Sequence, residues 1–273
     1  ARMKGMPMAD RSRATAFAGV GTLAMVELRR WLPKRAIVLA VASLPILLFV
    51  TFTLGGEADT PFGDVLGVAL TGWSIVVVLI VVGTSQGVLA DAVEDGTAAW
   101  TVSMPVTRKA YVLAKFVGAA PAIALGAVIV PGLIAYPFLA ASADATSEFG
   151  AGAVVDALRR DTSAYASLPS LGEYAIMLLL IALLAVYLLA MMLLFGSRLT
   201  SAAALLGLGL ASAAVLVFFN SLGIEEGTPG VAFVAVLPDG LEELAVAPAV
   251  IASAAWSVFA VVIAAWSFDR RPL

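Results

Sequence analysis

The chain has 273 residues, of which 62% are hydrophobic and 13% charged, with a mean hydropathy of +1.03 and a formal net charge of −3. Soluble domains hold about 45–50% apolar residues; an excess of this size has no single globular core to hide in, which excludes an ordinary soluble enzyme or nucleic-acid binder and points to an integral membrane protein. There is no Cys, hence no disulfide framework or thiol chemistry, and no His, which removes the commonest general base and metal ligand.

The chain opens on a basic segment, and no cleavable signal peptide is expected, because the first apolar run starts only near Ala36. Residues 14–33 predict an amphipathic helix. Phe17, Val20, Ala24, Leu28 and Trp31 fall on one face at helical spacing, with Thr15, Thr22 and Arg29 opposite. Trp31 beside Arg29, Arg30, Lys34 and Arg35 suits a helix lying along the inner leaflet, and Pro33 breaks it before the bilayer is entered. The alternative is a basic tail that only sets topology.

A helix needs about 20 apolar residues to cross roughly 30 Å of hydrocarbon. Six stretches qualify: 36–54, 65–90, 111–140, 174–195, 200–220 and 247–268. Backbone groups in lipid must be satisfied within the segment, so all six are expected as helices. The expected fold is therefore an all-α integral membrane protein, one transmembrane domain over 1–273. The third span carries Pro121, Pro131 and Pro137, which should bend it, and Gly118, Ala122 and Gly126 at four-residue spacing, which should admit a close helix neighbour. Ser85 and Gln86, at the inner end of the second span, are expected to make helix–helix hydrogen bonds.

The connections are predicted as a cytoplasmic loop over 91–110 and two extracellular loops over 141–173 and 221–246. The first outer loop shows a short helical pattern around Val154–Arg160. In the second, the apolar run Val231–Leu237 is too short to span, and Pro238, Asp239 and Gly240 interrupt it. Asp239 with Glu242 looks like a capping pair, so a re-entrant or interfacial hairpin on the outer face is expected.

Charge sets the orientation. Arg2, Lys4, Arg11, Arg13, Arg29, Arg30, Lys34, Arg35, Arg108, Lys109, Lys115, Arg198, Arg270 and Arg271 fall on one side, and only Arg159 and Arg160 on the other. The positive-inside rule places both termini in the cytoplasm of a multi-pass protein of the cell membrane. Thirteen of the 19 acidic residues fall outside, between Glu57 and Asp64, Asp144 and Asp161, at Glu173, and between Glu225 and Glu243. An acidic rim at an entrance or exit is one account, and the acidic surface of a prokaryote living in high salt is another.

Catalytic patterns are lacking. There is no GxxxxGK[ST] loop, HExxH or GxSxG, so ATP and Mg are not expected on this chain. No span carries a charged residue at its centre, which disfavours an ion-coupled transporter. Apolar, charge-free spans suit a lipid-like or amphipathic cargo.

The most informative stretch is Asp91–Lys115. Glu94-Asp95-Gly96-Thr97 reads as a turn before a short helix over Ala98–Met104, which Pro105 ends; Thr107 then precedes Arg108 and Lys109, and Lys115 can snorkel to the interface. This segment resembles the permease subunits of type-2 ATP-binding-cassette (ABC) transporters. They share the pattern Glu-x-Gly-Thr, a short helix, Pro-x-(Ser/Thr)-Arg, and a Lys opening the next span. Here Glu94, Gly96, Thr97, Pro105, Thr107, Arg108 and Lys115 supply it. Where the family has long apolar residues after the Gly-Thr, this chain has Ala98, Ala99 and Trp100.

The resemblance implies a coupling helix over Glu94–Met104, seated in a cleft of a separate ATPase subunit, with Asp95 and Trp100 in the contact. It implies a connecting helix before the first span, carrying Phe17, Leu28, Arg29, Arg30 and Trp31. It further implies two permeases, identical or related, working with two ATPases as an exporter, ATP and Mg being held by the ATPase. Arg108 would anchor the loop to a lipid phosphate or an acidic partner residue. Two other functions compete: a membrane scaffold or assembly factor that docks a cytoplasmic partner, and an enzyme acting on a lipid or isoprenoid phosphate. The enzyme needs a polar cluster at one interface, and no local pattern announces one.

Overall fold

The computed structural model describes residues 19–32, 34–54, 62–94, 107–142, 170–221, 227–235 and 244–270. The described elements are all helical, in the order α1 (Val20–Trp31), α2 (Arg35–Leu54), α3 (Phe62–Ser85), α4 (Gly87–Glu94), α5 (Arg108–Ile123), a π-helical turn (Ala124–Ile129), α6 (Val130–Ser142), α7 (Leu171–Gly196), α8 (Ala202–Ser221), α9 (Val231–Ala235) and α10 (Val246–Asp269). Five helices are long and apolar enough to span a membrane: Ala69–Asp91, Arg108–Phe138, Leu171–Gly196, Ala202–Phe219 and Val246–Asp269. A sixth is reached when Val20–Trp31 and Arg35–Phe49, which meet at 45°, are counted together.

Five of the six expected spans thus reappear among the described residues with shifted ends, while the first, 36–54, is helical but counts as a span only together with α1. Residues 91–94, expected in the cytoplasmic loop, continue the helix, with a break only at Gln86. Thr107 is the N-cap of α5, its hydroxyl accepting from Ala110 N–H at 3.2 Å, so the third span starts at Arg108. Glu173, expected in an outer loop, lies in the first turn of α7. There it forms a capping box with Ser170: Glu173 N–H donates to Ser170 Oγ at 3.2 Å and Ser170 N–H to Glu173 Oε2 at 2.7 Å. The pair satisfies two donors that a helix start leaves orphaned.

Helix α7 is the centre. Of its apolar window 67% is buried, against 22% for α8 and 28% for α10, so α8 and α10 stand at the periphery. Their outer faces carry Val217, Phe218, Ile251, Phe259 and Val262, all exposed. An apolar exterior of this extent suits lipid or another membrane subunit, not water.

The third span leaves regular α-helical geometry between Pro121 and Pro131. Pro131 has no N–H to give and its ring crowds the carbonyl four residues back. The chain widens into the π turn just before it, where Val130 N–H bonds Leu125 O, five residues back. The small residues of this span seat its neighbours. A Cβ on Gly118 would lie 3.0 Å from Leu28 N and 3.1 Å from Ala24 O on α1; one on Gly126 would lie 2.6 Å from Ala36 O on α2. Only glycine permits approaches this close.

Polar groups inside the spans mostly bond their own helix. Ser74, Thr84 and Ser212 hydroxyls donate to carbonyls four residues back at 2.7–2.8 Å. Ser85 does the same toward Val81 O, so its hydroxyl proton stays within its own helix where a helix–helix bond was expected. Gln86 Oε1 is buried with no hydrogen-bond partner. Tyr174 instead reaches across to another helix, its Oη donating to Gly132 O at 3.0 Å.

At the end opposite the basic residues, α9 is buried among α7 and α8, with Val231, Ala232 and Ala235 fully covered. Trp256 Nε1 donates to Gly227 O at 2.8 Å, tying this segment to α10. The first half of the expected outer hairpin is therefore a buried short helix. Its Pro238-Asp239-Gly240 turn, the pattern near Val154–Arg160 and most of the two outer loops lie outside the described residues.

Candidate functional site at the basic end

Every Lys and Arg among the described residues gathers at one end of the bundle, where α1 meets α2, α4 meets α5, α7 meets α8, and α10 stops. Side-chain ties link these ends. Lys109 Nζ lies 3.4 Å from Asp269 Oδ2, joining the third and last spans on an exposed surface. Arg108 Nη1 donates to the Asp269 carbonyl at 3.4 Å, so part of its hydrogen bonding is used within the chain, where a lipid phosphate or a partner carboxylate was expected. Arg198 Nε donates to Ser267 Oγ at 2.6 Å, and Ser197 and Ser267 hydroxyls bond at 2.9 Å. The loop between α7 and α8 is thereby clamped to α10.

The most buried tie is Glu27 with Lys115. Lys115 Nζ sits 2.6 Å from Glu27 Oε1, with the two side chains only 6% and 13% exposed. Lys115 was expected to snorkel toward the headgroups. Instead it turns inward, because α1 lies across the start of the third span and offers a carboxylate at closer range. Its ammonium also stands 5.5 Å from the Tyr111 ring centroid. Two charges this dry persist only as a pair.

Glu27 lies in the seam between α1 and α5 because the face around it is right for that seam. Ala24 and Trp31 are buried, Val20 and Leu28 half-buried, and Thr22 and Arg29 exposed, which matches the face read from the sequence. The polar member of that face was missed. Its only signal is that an acidic residue interrupts a run of basic ones, which does not name a partner in another span. Trp31 is 1% exposed and carries the Arg35 guanidinium over its ring at 4.4 Å. Arg29 and Arg30 are exposed in the last turn of α1, where cations complement the helix dipole.

Beside the pair lies a cavity of about 440 Å³. Arg30, Trp31, Lys34 and Arg35 line it from α1 and the start of α2; Gln86, Gly87 and Asp91 from the end of the second span; Thr200, Ala202 and Leu205 from the start of α8. The Asp91 carboxylate folds back over Gly87, where any Cβ would collide with it. A polar cluster at one interface, absent as a local pattern in the sequence, is thus assembled from four separate segments.

Of the residues expected to dock an ATPase, Asp95, Gly96, Thr97, Trp100 and Pro105 lie outside the described residues, as does Phe17 of the connecting helix. Glu94 ends α4, so the segment emerges from a helix that packs against α5 and α7 and re-enters at the Thr107 cap. Among the described residues no group of His, Cys, Asp and Glu is placed to hold a metal. No family model matches the chain, and no curated protein is significantly similar to it.

Proposed function

We propose that the chain is the membrane-spanning permease subunit of a type-2 ABC exporter, working with a separate ATPase and a second permease, its own copy or a relative. In this arrangement α2 is the first of six spans, and the basic end and both termini face the cytoplasm, as the positive-inside rule directs. ATP and Mg belong to the ATPase. The observation that carries the proposal is the seating of α1 on the base of the third span through Gly118 and the buried Glu27–Lys115 pair, beside the point where residues 95–106 leave α4 and return to α5.

That construction is what force transfer needs. A partner that pushes on residues 95–106 meets two helices, α4 and α5, each packed on α7. The push passes through well-packed rods and not through a loose loop, so the subunit would turn as one body.

Co-expression with a candidate ABC ATPase, purification in detergent and ATP hydrolysis assays test this. The expected result is a stable complex whose hydrolysis falls when Glu94 and Trp100 are both changed to Ala. Absence of a complex, or hydrolysis indifferent to both residues, would overturn it in favour of a membrane scaffold that docks a different partner.

A further inference from the structure

We propose that the cavity at the basic end binds the headgroup of an anionic glycerophospholipid, one that carries an O–H or N–H donor, drawn from the leaflet at that end. The inference does not depend on the transporter proposal.

The charges ask for an anion. Arg30, Lys34 and Arg35 all line the cavity, and none makes an ion pair among the described residues. Of the two carboxylates that line the cavity, Glu27 is already committed to Lys115 at 2.6 Å and Asp91 makes no ion pair with any of the three. The opposite wall asks for a donor. Asp91 lines it and stands exposed, a carboxylate acceptor without an ion pair among the described residues. A phosphate on the α1–α2 side, with its hydroxyl or ammonium turned toward Asp91, satisfies both walls.

The place and shape select a lipid over a soluble phosphate. The volume is within the roughly 300–1,000 Å³ of ordinary ligand pockets. Leu39, Val88 and Leu205 supply an apolar side, and Val38 of α2, which also lines the cavity, is 65% exposed. The cavity lies at the ends of apolar spans, the depth at which headgroups sit and basic side chains recognise them.

Native mass spectrometry of the full chain in detergent, titrated separately with phosphatidylglycerol, phosphatidylcholine, phosphatidic acid and glycerol 1-phosphate, tests this. Phosphatidylglycerol should bind at least about ten-fold tighter than phosphatidylcholine, and R30Q/K34Q should remove about that factor. Neither side chain makes an ion pair among the described residues, so the melting temperature of R30Q/K34Q should stay close to that of the wild type. D91N should erase the preference for phosphatidylglycerol over phosphatidic acid, and A202W, which changes no charge, should fill part of the cavity and weaken binding. Equal retention of phosphatidylglycerol and phosphatidylcholine, or full retention by R30Q/K34Q, would overturn the proposal. Glycerol 1-phosphate binding as tightly as the lipid would also overturn it, and would name a soluble phosphate as the ligand.

Discussion

Glu27 Oε1 and Lys115 Nζ lie 2.6 Å apart in the seam between the helix before the first span and the third span. Both charges are largely out of water and answer each other, with the Tyr111 ring beside the ammonium. Breaking such a pair by removing one partner typically costs about 3–5 kcal/mol, whereas replacing both by apolar or neutral groups of similar volume is often nearly neutral. E27Q should therefore lower stability in detergent by about 3 kcal/mol, and K115M by a comparable amount. The double variant E27Q/K115M should recover most of the loss. A double-mutant cycle by thermal unfolding would measure this; additive losses would mean that the two side chains act independently.

Two glycines should respond with opposite signs. Gly118 is pressed against α1, so G118A must push Leu28 N and Ala24 O away and loosen that helix. Gly21, inside α1, has nothing within 4 Å of an added Cβ. G21A should stabilise the protein by about 0.5–1 kcal/mol through helix propensity alone. Limited trypsin digestion at Arg29 and Arg30 should speed up in G118A and slow down in G21A. Equal rates in both would show that α1 is not held by the third span.

These two contacts also mark how far the sequence could be read. The spans were legible because 20 apolar residues in a row have few other uses, and Gly118 and Gly126 were legible as packing sites from their spacing. The face of α1 was legible from its period, since Ala24 and Trp31 are buried as expected. The Glu27–Lys115 pair was not, because it depends on which span α1 lies across, and no local pattern encodes that. Ser170 and Glu173 do form a readable capping pattern, yet it sits in the middle of polar loop residues that mask it. The cavity was hidden for the same reason as the ion pair: Arg30, Gln86 and Thr200 are distant in sequence and meet only when the bundle is packed.

The ties of α10 differ in depth and should differ in worth. Ser267 Oγ accepts from Arg198 Nε at 2.6 Å and is 4% exposed. S267A leaves that donor unmet and should cost about 1–3 kcal/mol. The Lys109–Asp269 pair is about half exposed on each side. K109A should change stability by no more than about 1 kcal/mol, and less at high salt, since exposed pairs are weak and screened. Melting curves at low and high salt would separate the two, and a salt-sensitive S267A effect would contradict the assignment.

Topology can be tested without removing any native thiol, because the chain has no Cys. Ser201 is exposed at the basic end and Ala245 is exposed at the other, at the start of α10. In the proposed six-span arrangement, S201C should be protected from a membrane-impermeant maleimide in intact cells and labelled in inverted vesicles. A245C should show the reverse. T22C, on the exposed face of α1, should follow S201C, while T60C, between the first two spans, should follow A245C. The last comparison is the decisive one, because it asks whether α2 crosses on its own. If T60C and T22C label from the same side, α2 does not cross and residues 19–54 lie on one face of the membrane. The chain would then have five spans, its termini would face opposite sides, and a cytoplasmic seat for α1 beside residues 95–106 would have to be given up.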